Sequence, residues 1–463
     1  MIPLTLGEIA TITGGRLVGT DGSETVTGGV EYDSRKVGPG GLFVAFAGEK
    51  ADGHDFGPEV VEAGAAGVLG TRDAGVPGVV VEDQLAALAK LAHEVVARLP
   101  ELTVVGLTGS SGKTTTKDYL GQLLSRLGPT VAPAGSLNNE LGFPYTVLQA
   151  DEKTRFLVLE MGARGVGHIR YLTDIVPPSI GVVLNVGAAH IGEFGSVEGT
   201  ALAKGELVEA LPPTGVAVLN ADDALVSAMA SRTGARVVLV GEADDAGLRA
   251  EDVVVDAAGR ASYVLRSGLE SGDVRLGVAG RHQVANSLAA AAVALTAGMA
   301  FDDLVVALGE VGIVSGRRMD VFERADGVVV VDDSYNANPS STAAALHALA
   351  AMGAGKRTTA VLGYMAELGE HEVSGHAEVG RLAAELGVDR LIAVAENARP
   401  ILDGAAEVDR WRGTAHLAAD QAAAIEILQN DLRADDVVLV KGSRYRTWDV
   451  ADWLRRSEEV QPT

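Results

Sequence analysis

The stretch TGSSGKTTTK, residues 108–117, carries the most explicit chemistry in the chain. An apolar run at 102–107 precedes it and the helix-forming DYLGQLLSRL follows, so strand, glycine-rich turn and helix succeed one another. Gly109 and Gly112 free the backbone N–H groups between them to surround phosphate oxygens, and the helix start adds partial positive charge. In such a loop Lys113 can reach β and γ phosphates, and Thr114 offers its hydroxyl to Mg²⁺. The strict spacing fails, because five residues separate Gly106 from Gly112 and position 107 is Leu. What survives is Thr108-Gly-x-x-Gly-Lys-Thr. A plain Gly/Ser turn is the alternative, and the flanking strand, the helix and the Lys-Thr pair outweigh it.

Other chemistry-bearing residues follow apolar runs. In open α/β sheets ligands gather at the carboxyl ends of strands. FLVLEMG puts Glu160 at such an end, and IGVVLNVGAAH puts Asn185 at another with His190 just beyond. ALAKGELVEAL reads as a helix carrying Lys204 and Glu206. Mg²⁺ prefers oxygen ligands, so Thr114 and Glu160 suit it and His190 is a less usual ligand. Each also has a bland reading: a surface carboxylate, a loop histidine, a solvated helix lysine. Asn138 and Asn139 in SLNNELGFP are ordinary turn residues by themselves. VVVVDDSYNANPSS sets Asp332, Asp333, Asn336 and Asn338 past a strand, where an Asn-Pro turn with an N-cap Ser accounts for the run and a carboxylate also suits a ribose.

These residues need a scaffold of alternating strands and helices. A chain of 463 residues exceeds one ordinary core, and three domains are expected. Residues 1–100 form a first unit of short apolar runs (42–47, 67–69, 79–81), closed by the helix QLAALAKLAHEVVARLP. Residues 101–314 form a central unit with strands at 102–107, 156–159, 180–184, 216–219 and 237–240, and an Ala-rich helix at 286–297. Residues 315–463 repeat the rhythm with strands at 328–331, 358–362, 391–394 and 437–440. VGIVSG at 311–316 offers a glycine hinge between the last two. The expected class is therefore α/β: a small N-terminal α/β domain, a central P-loop domain with a mainly parallel sheet, and a C-terminal Rossmann-like α/β domain. Lys+Arg 38 against Asp+Glu 62 gives a net charge of −24, which disfavours nonspecific grip on nucleic acid or anionic lipid. With no cysteine, disulfides, thiolate zinc sites and cysteine nucleophiles are excluded. No apolar run of about 18 residues and no basic-then-apolar leader stand out, so the cytoplasm is the expected location, with no nucleic-acid or membrane partner.

Taken together the motifs resemble the Mur ligases, the ATP-dependent amide-bond enzymes that build the peptidoglycan peptide, and above all their D-alanyl-D-alanine-adding branch. The likeness spans nearly the whole chain: YDSRKVGPGGLFVAFAGEKADGHDF in the first unit; TGSSGKTTTK, SLNNELGFP, LEMGARGVGHI, NVGAAHIGEFGS, AKGEL and GRHQVANSLAAAA in the second; SGRRMD, DDSYNANPSS, LGYMAELG and KGSR in the third. The YNANP and MAELG stretches are the most specific to that branch, whereas the P-loop is shared with folylpolyglutamate synthases. The resemblance implies roles. Gly109, Ser110, Ser111, Gly112, Lys113, Thr114 and Thr115 would hold ATP, with Asn286 on the adenine and Arg318 and Asp333 on phosphate and ribose. Thr114 and Glu160 would bind one Mg²⁺ and His190 would help bind a second. Lys204 matches the lysine carbamylated by CO₂ in the family, which replaces a repelling ammonium by an anionic oxygen ligand. Lys113, Lys204, His190 and Arg318 would form the catalytic set. Asp33, Ser34 and Arg35 would meet the UDP-sugar, with Asn138 and Asn139 also on the substrate side. The implied small-molecule partners are UDP-N-acetylmuramoyl-tripeptide and D-alanyl-D-alanine, handled by a monomer.

The chain departs from the diaminopimelate-adding relatives, which carry Asp-Asn-Pro-Arg after a late strand. Here the comparable place reads AENARP, with Glu396 and Ala398 breaking the pattern. Another Mur-type ligase, including the diaminopimelate-adding step, and a P-loop NTPase switch stay open as alternatives.

Overall fold

Short apolar runs bounded by glycine or charge become buried strands, because helices covering both faces leave a parallel strand no wet side. The computed structural model describes residues 1–187, 194–443 and 446–456. Its main sheets have five, nine and six strands, each built from a consecutive part of the chain.

The five-stranded sheet runs Arg16–Val18, Gly78–Val80, Gly67–Gly70, Leu42–Ala45, Val30–Glu31 in space. Helix Gln84–Ala97 begins where the Asp83 side chain accepts the Leu85 and Ala86 N–H groups. Its Leu88, Leu91 and Val95 bury against Leu6, Ile9 and Val79. Ala92, on another side of the same helix, joins the core of the central sheet, so one helix both closes the first layer and docks it.

In the central sheet six parallel strands lie in the order Thr130–Val131, Phe156–Glu160, Thr103–Thr108, Ile180–Val183, Val216–Asn220, Arg236–Gly241. The expected parallel sheet is present, and it is longer than expected. Leu248–Val255 continues it in parallel, and Arg260–Ser267 and Glu270–Ala279 add antiparallel strands. This wing alternates buried and wet residues, and its inner Tyr263, Leu265, Val274 and Leu276 pack with Leu304 and Leu308 of helix Phe301–Glu310.

The six-stranded sheet runs Asp320–Glu323, Val329–Asp333, Val437–Lys441, Thr358–Gly363, Arg390–Val394, Thr414–Ala418, parallel except for the first strand. Its helices form two cores on opposite faces. Helix Pro339–Met352 is capped by Asn338, whose side chain accepts the Ser341 N–H while Ser341 Oγ takes the Asn338 N–H; the expected serine cap is instead the reciprocal partner. In the segment 311–316, expected as a hinge, Gly312 is hydrogen-bonded in both directions to the Gln122 side chain. Among the described residues no helix is long and apolar enough to cross a membrane.

Candidate active site

Strand Thr103–Thr108 sits between Phe156–Glu160 and Ile180–Val183. The chain crosses to opposite sides of it, and such a switch in strand order opens a crevice at the carboxyl ends. The loop leaving this strand enters helix Lys113–Leu124 through Gly112, at φ +81°. A Cβ on Gly112 would stand 2.4 Å from Asn286 Oδ1, so glycine serves both the left-handed turn and the close approach of helix Gln283–Thr296. Asn185 braces the loop: its Oδ1 accepts the Ser111 N–H at 2.9 Å, and its Nδ2 donates to the Ser111 carbonyl at 3.2 Å. Ser110 Oγ accepts the Gly187 N–H at 2.9 Å. Lys113 Nζ donates to the Gly109 carbonyl at 2.7 Å, holding the ammonium over its own loop. Lost hydration lowers its pKa, Glu160 raises it and Arg318 lowers it again.

Beside the loop, Thr114 Oγ1 donates to Glu160 Oε2 at 2.9 Å. The other carboxylate oxygen accepts Ser136 Oγ at 2.8 Å and Asn138 Nδ2 at 2.9 Å, so Asn138 sits against Glu160. Asn139 turns away, its Oδ1 accepting the Gly142 N–H that opens the next helix. Lys204 lies buried on helix Val197–Glu209. Burial drives its pKa well below the ordinary lysine value and the nearby Lys113 pushes the same way; no carboxylate among the described residues offsets them. Glu206 does not accompany it. Two residues along a helix point to different sides, and Glu206 accepts the Gly167 and Arg170 N–H groups at the start of helix His168–Ile175. His190 lies outside the described residues, among which no group of three or more His, Asp or Glu could hold a metal. Thr114 and Glu160 do bring together two hard oxygen donors of the kind Mg²⁺ prefers. A free Lys204 ammonium would oppose that cation; an uncharged or carbamylated amine would not.

A cleft of about 270 Å³ faces the loop, with Ser111, Gly112, Thr115 and Asn286 on one wall and Arg318, Asp333 and Tyr335 on the other. Six of the residues expected to bind nucleotide thus share one cavity although the outermost, Ser111 and Asp333, are far apart in sequence. Arg318 stacks over the Tyr335 ring, 4.1 Å from its centroid. Two buried atoms on this cleft, Arg318 Nε and His282 Nδ1, have no hydrogen-bond partner among the described residues. Buried polar groups are normally satisfied, and each orphan costs about 1–3 kcal/mol, so the cleft is built for a polar ligand. Burial lowers the His282 pKa, which favours the neutral imidazole. Lys441 ion-pairs with Asp333 and donates to the Asn336 carbonyl at 3.0 Å, while Asp333 Oδ1 accepts the Met319 N–H at 3.1 Å.

Sequence reasoning did not single out His282, Tyr335 or Lys441 as site residues. Lys441 carried a usable signal, since it ends an apolar strand just as Glu160 does. Asp33, Ser34 and Arg35 stand away from the cleft, Ser34 and Arg35 in the short turn Ser34–Lys36 of the first unit and Asp33 capping it. Arg35 pairs with Asp33 at 2.8 Å and holds its carboxyl down at about 2. Alongside, Tyr32 meets Tyr145 edge to face at 5.2 Å, and Tyr145 OH donates to Glu31 at 3.1 Å, joining the first unit to the central one.

The chain matches the Mur ligase middle domain over residues 107–294, the glutamate ligase domain over 317–444 and the Mur ligase catalytic domain over 27–100. It is 47% identical, across 96% of both chains, to the UDP-N-acetylmuramoyl-tripeptide–D-alanyl-D-alanine ligase of Mycobacterium bovis, and 36% identical to that of Escherichia coli at the same coverage. Its fold superposes on a crystal structure of MurF from Acinetobacter baumannii with a TM-score of 0.85, at 32% identity and over 98% and 99% of the two chains. For the Thermotoga maritima MurF ligase in complex with ADP the TM-score is 0.79, at 30% identity and over 94% and 98%. Phosphate loop, interdomain cleft and full-length likeness agree, and the chain belongs to the Mur ligase family.

Proposed function

We propose that this chain joins D-alanyl-D-alanine to UDP-N-acetylmuramoyl-tripeptide at the expense of ATP, giving the UDP-linked pentapeptide, ADP and phosphate. The full-length likeness to ligases of that activity carries the reading, and a cleft whose two walls meet at a phosphate loop supports it. A carboxylate does not react with an amine at neutral pH, so it must first be activated. The terminal carboxylate oxygen of the tripeptide attacks the γ phosphorus and ADP leaves, forming an acyl phosphate. The dipeptide amine attacks the acyl carbon and loses a proton, and the tetrahedral intermediate expels phosphate.

The protein's share is positioning and charge neutralisation. Loop N–H groups from Gly109 to Thr115 and the Lys113 ammonium receive the phosphates. Arg318 closes on them from the third unit. Asn286 meets the adenine, and Asp333, held by Lys441, offers its carboxylate to the ribose. Thr114 and Glu160 would hold one Mg²⁺ and His190 would help hold a second, with a carbamylated Lys204 offering an anionic oxygen; the ions would supply further neutralisation of phosphate charge. Asp33, Ser34 and Arg35 take the UDP-sugar end, with Asn138 and Asn139 on the tripeptide side. Both walls of the cleft come from one chain, so a monomer suffices, and ATP places the work in the cytoplasm.

Omitting one component at a time tests this. With ATP, Mg²⁺, tripeptide substrate and dipeptide, pentapeptide and ADP should form in equal amounts, and leaving out the dipeptide should nearly stop ATP consumption. Faster reaction of diaminopimelate with the shorter UDP-dipeptide precursor would move the assignment one step back along the series.

A further inference from the structure

The segment leading into the third unit is fastened along the helix that starts at the phosphate loop. Gln122 Nε2 donates to the Gly312 carbonyl and Gly312 N–H donates to Gln122 Oε1, both at 2.9 Å. Three residues on, Ser315 gives both its donors to Asp118: the N–H to Oδ2 at 2.9 Å and the hydroxyl to Oδ1 at 3.0 Å. Asp118 and Gln122 lie one turn apart on helix Lys113–Leu124. Asp118 and Ser315 are 5% and 4% exposed. A carboxylate this far from water persists only when paired and hydrogen-bonded, and Lys117 completes the set at 2.6 Å. The same cluster holds the turn at 133–138. Lys117 Nζ donates to the Pro133 carbonyl, and Ser315 Oγ accepts the Gly135 N–H at 2.9 Å. That turn carries Ser136 and Asn138, which hold one carboxylate oxygen of Glu160.

Arg318 follows Ser315 by three residues. Its neighbours Arg317 and Met319 stand at φ 60° and 52°, a left-handed conformation that residues with a side chain keep only where the surroundings fix it. On the far side the Arg317 carbonyl accepts the Tyr335 N–H and the Met319 N–H goes to Asp333, both at 3.1 Å. The arginine therefore stands between two anchors, one on the phosphate-loop helix and one on the third sheet, with only Gly316 and Arg317 between the first anchor and the guanidinium's own residue.

We infer that Asp118, acting through Ser315, is a positioning residue that sets where Arg318 stands over the phosphate loop. Asp118 lines no part of the nucleotide cleft and acts on Arg318 by holding the segment from which it extends. This rests on the reading of Arg318 as a ligand of the nucleotide phosphates.

A double-mutant cycle in the full-length chain tests it, read both as kcat and KM for ATP in the ligation and as the affinity for a non-hydrolysable ATP analogue, which needs no acceptor. Ser315→Ala should lower kcat/KM for ATP by about tenfold, the loss of roughly one charge-assisted hydrogen bond and its geometry. Ser315→Thr, which keeps the hydroxyl, should recover most of the loss. In an Arg318→Ala background Ser315→Ala should cost less than about twofold, because the group it positions is gone. Asp118→Asn should repeat the Ser315→Ala pattern; if it does not fold, the serine pair alone decides. Additive losses would overturn the proposal and leave Ser315 as a structural residue, as would wild-type kinetics in Ser315→Ala beside a large Arg318→Ala defect. If Arg318→Ala changes neither readout, the phosphate-ligand reading falls and the proposal falls with it.

Discussion

Lys113→Ala is expected to lower kcat/KM for ATP by at least about 10³-fold, the scale on which a single charged phosphate-stabilising group acts. The side chain packs no core; its ammonium folds back on the Gly109 carbonyl and shares a desolvated region with Glu160 and Arg318. Lost hydration already disfavours its charge there, so the cation is poised to gain when phosphate oxygens arrive. The thermal midpoint should accordingly stay at or slightly above that of the parent protein. Paired melting curves and ATP-dependent ligation assays give both numbers, and a folded Lys113→Ala protein with parental turnover would mean the site has been misplaced.

Lys204→Met should also abolish most ligation, by about 10²–10³-fold, while raising stability. The buried amine has a pKa well below that of unfolded lysine. The unfolded chain then binds the extra proton between the two values, so this lysine costs stability below its folded pKa, and the cost fades as pH rises towards the ordinary lysine range. A methionine of similar length removes the cost, and melting midpoints in CO₂-free buffer around neutral pH should show it. The lowered pKa also increases the neutral amine, the form that adds CO₂ to give a carbamate and a released proton. Carbon-13 bicarbonate should therefore label the parent protein with one carbamate signal that is lost in Lys204→Met. In Lys204→Ala, small carboxylic acids should restore part of the activity by supplying the missing anion. An unlabelled yet fully active protein would remove the carbamate from the mechanism.

What was legible beforehand follows the physics of each feature. The phosphate loop announces itself because its function is carried by backbone N–H groups, two glycines and a lysine within ten residues. Buried strands were legible as short apolar runs between helices. The wing at 248–279 was not, because its strands largely alternate buried and wet residues, and short apolar runs such as VVV at 253–255 sit between charged residues. Proximity in sequence puts Glu206 and Lys204 on one helix, yet that helix sends them to different sides and Glu206 caps another helix. The Asp333–Lys441 pair and the orphaned atoms of Arg318 and His282 depend on how the third sheet meets the phosphate loop, which no local pattern encodes.

The central claim is that ATP is spent to activate the tripeptide's terminal carboxylate within this cleft. Oxygen-18 in that carboxylate follows it directly. Ligation with ATP, Mg²⁺ and D-alanyl-D-alanine should deliver one labelled oxygen into the released phosphate for each pentapeptide formed, because the acyl phosphate's bridging oxygen leaves with phosphorus. Unlabelled phosphate accompanying ATP turnover would mean that water attacks the nucleotide, and would contradict the acyl-phosphate ligase in favour of a nucleotide-driven switch.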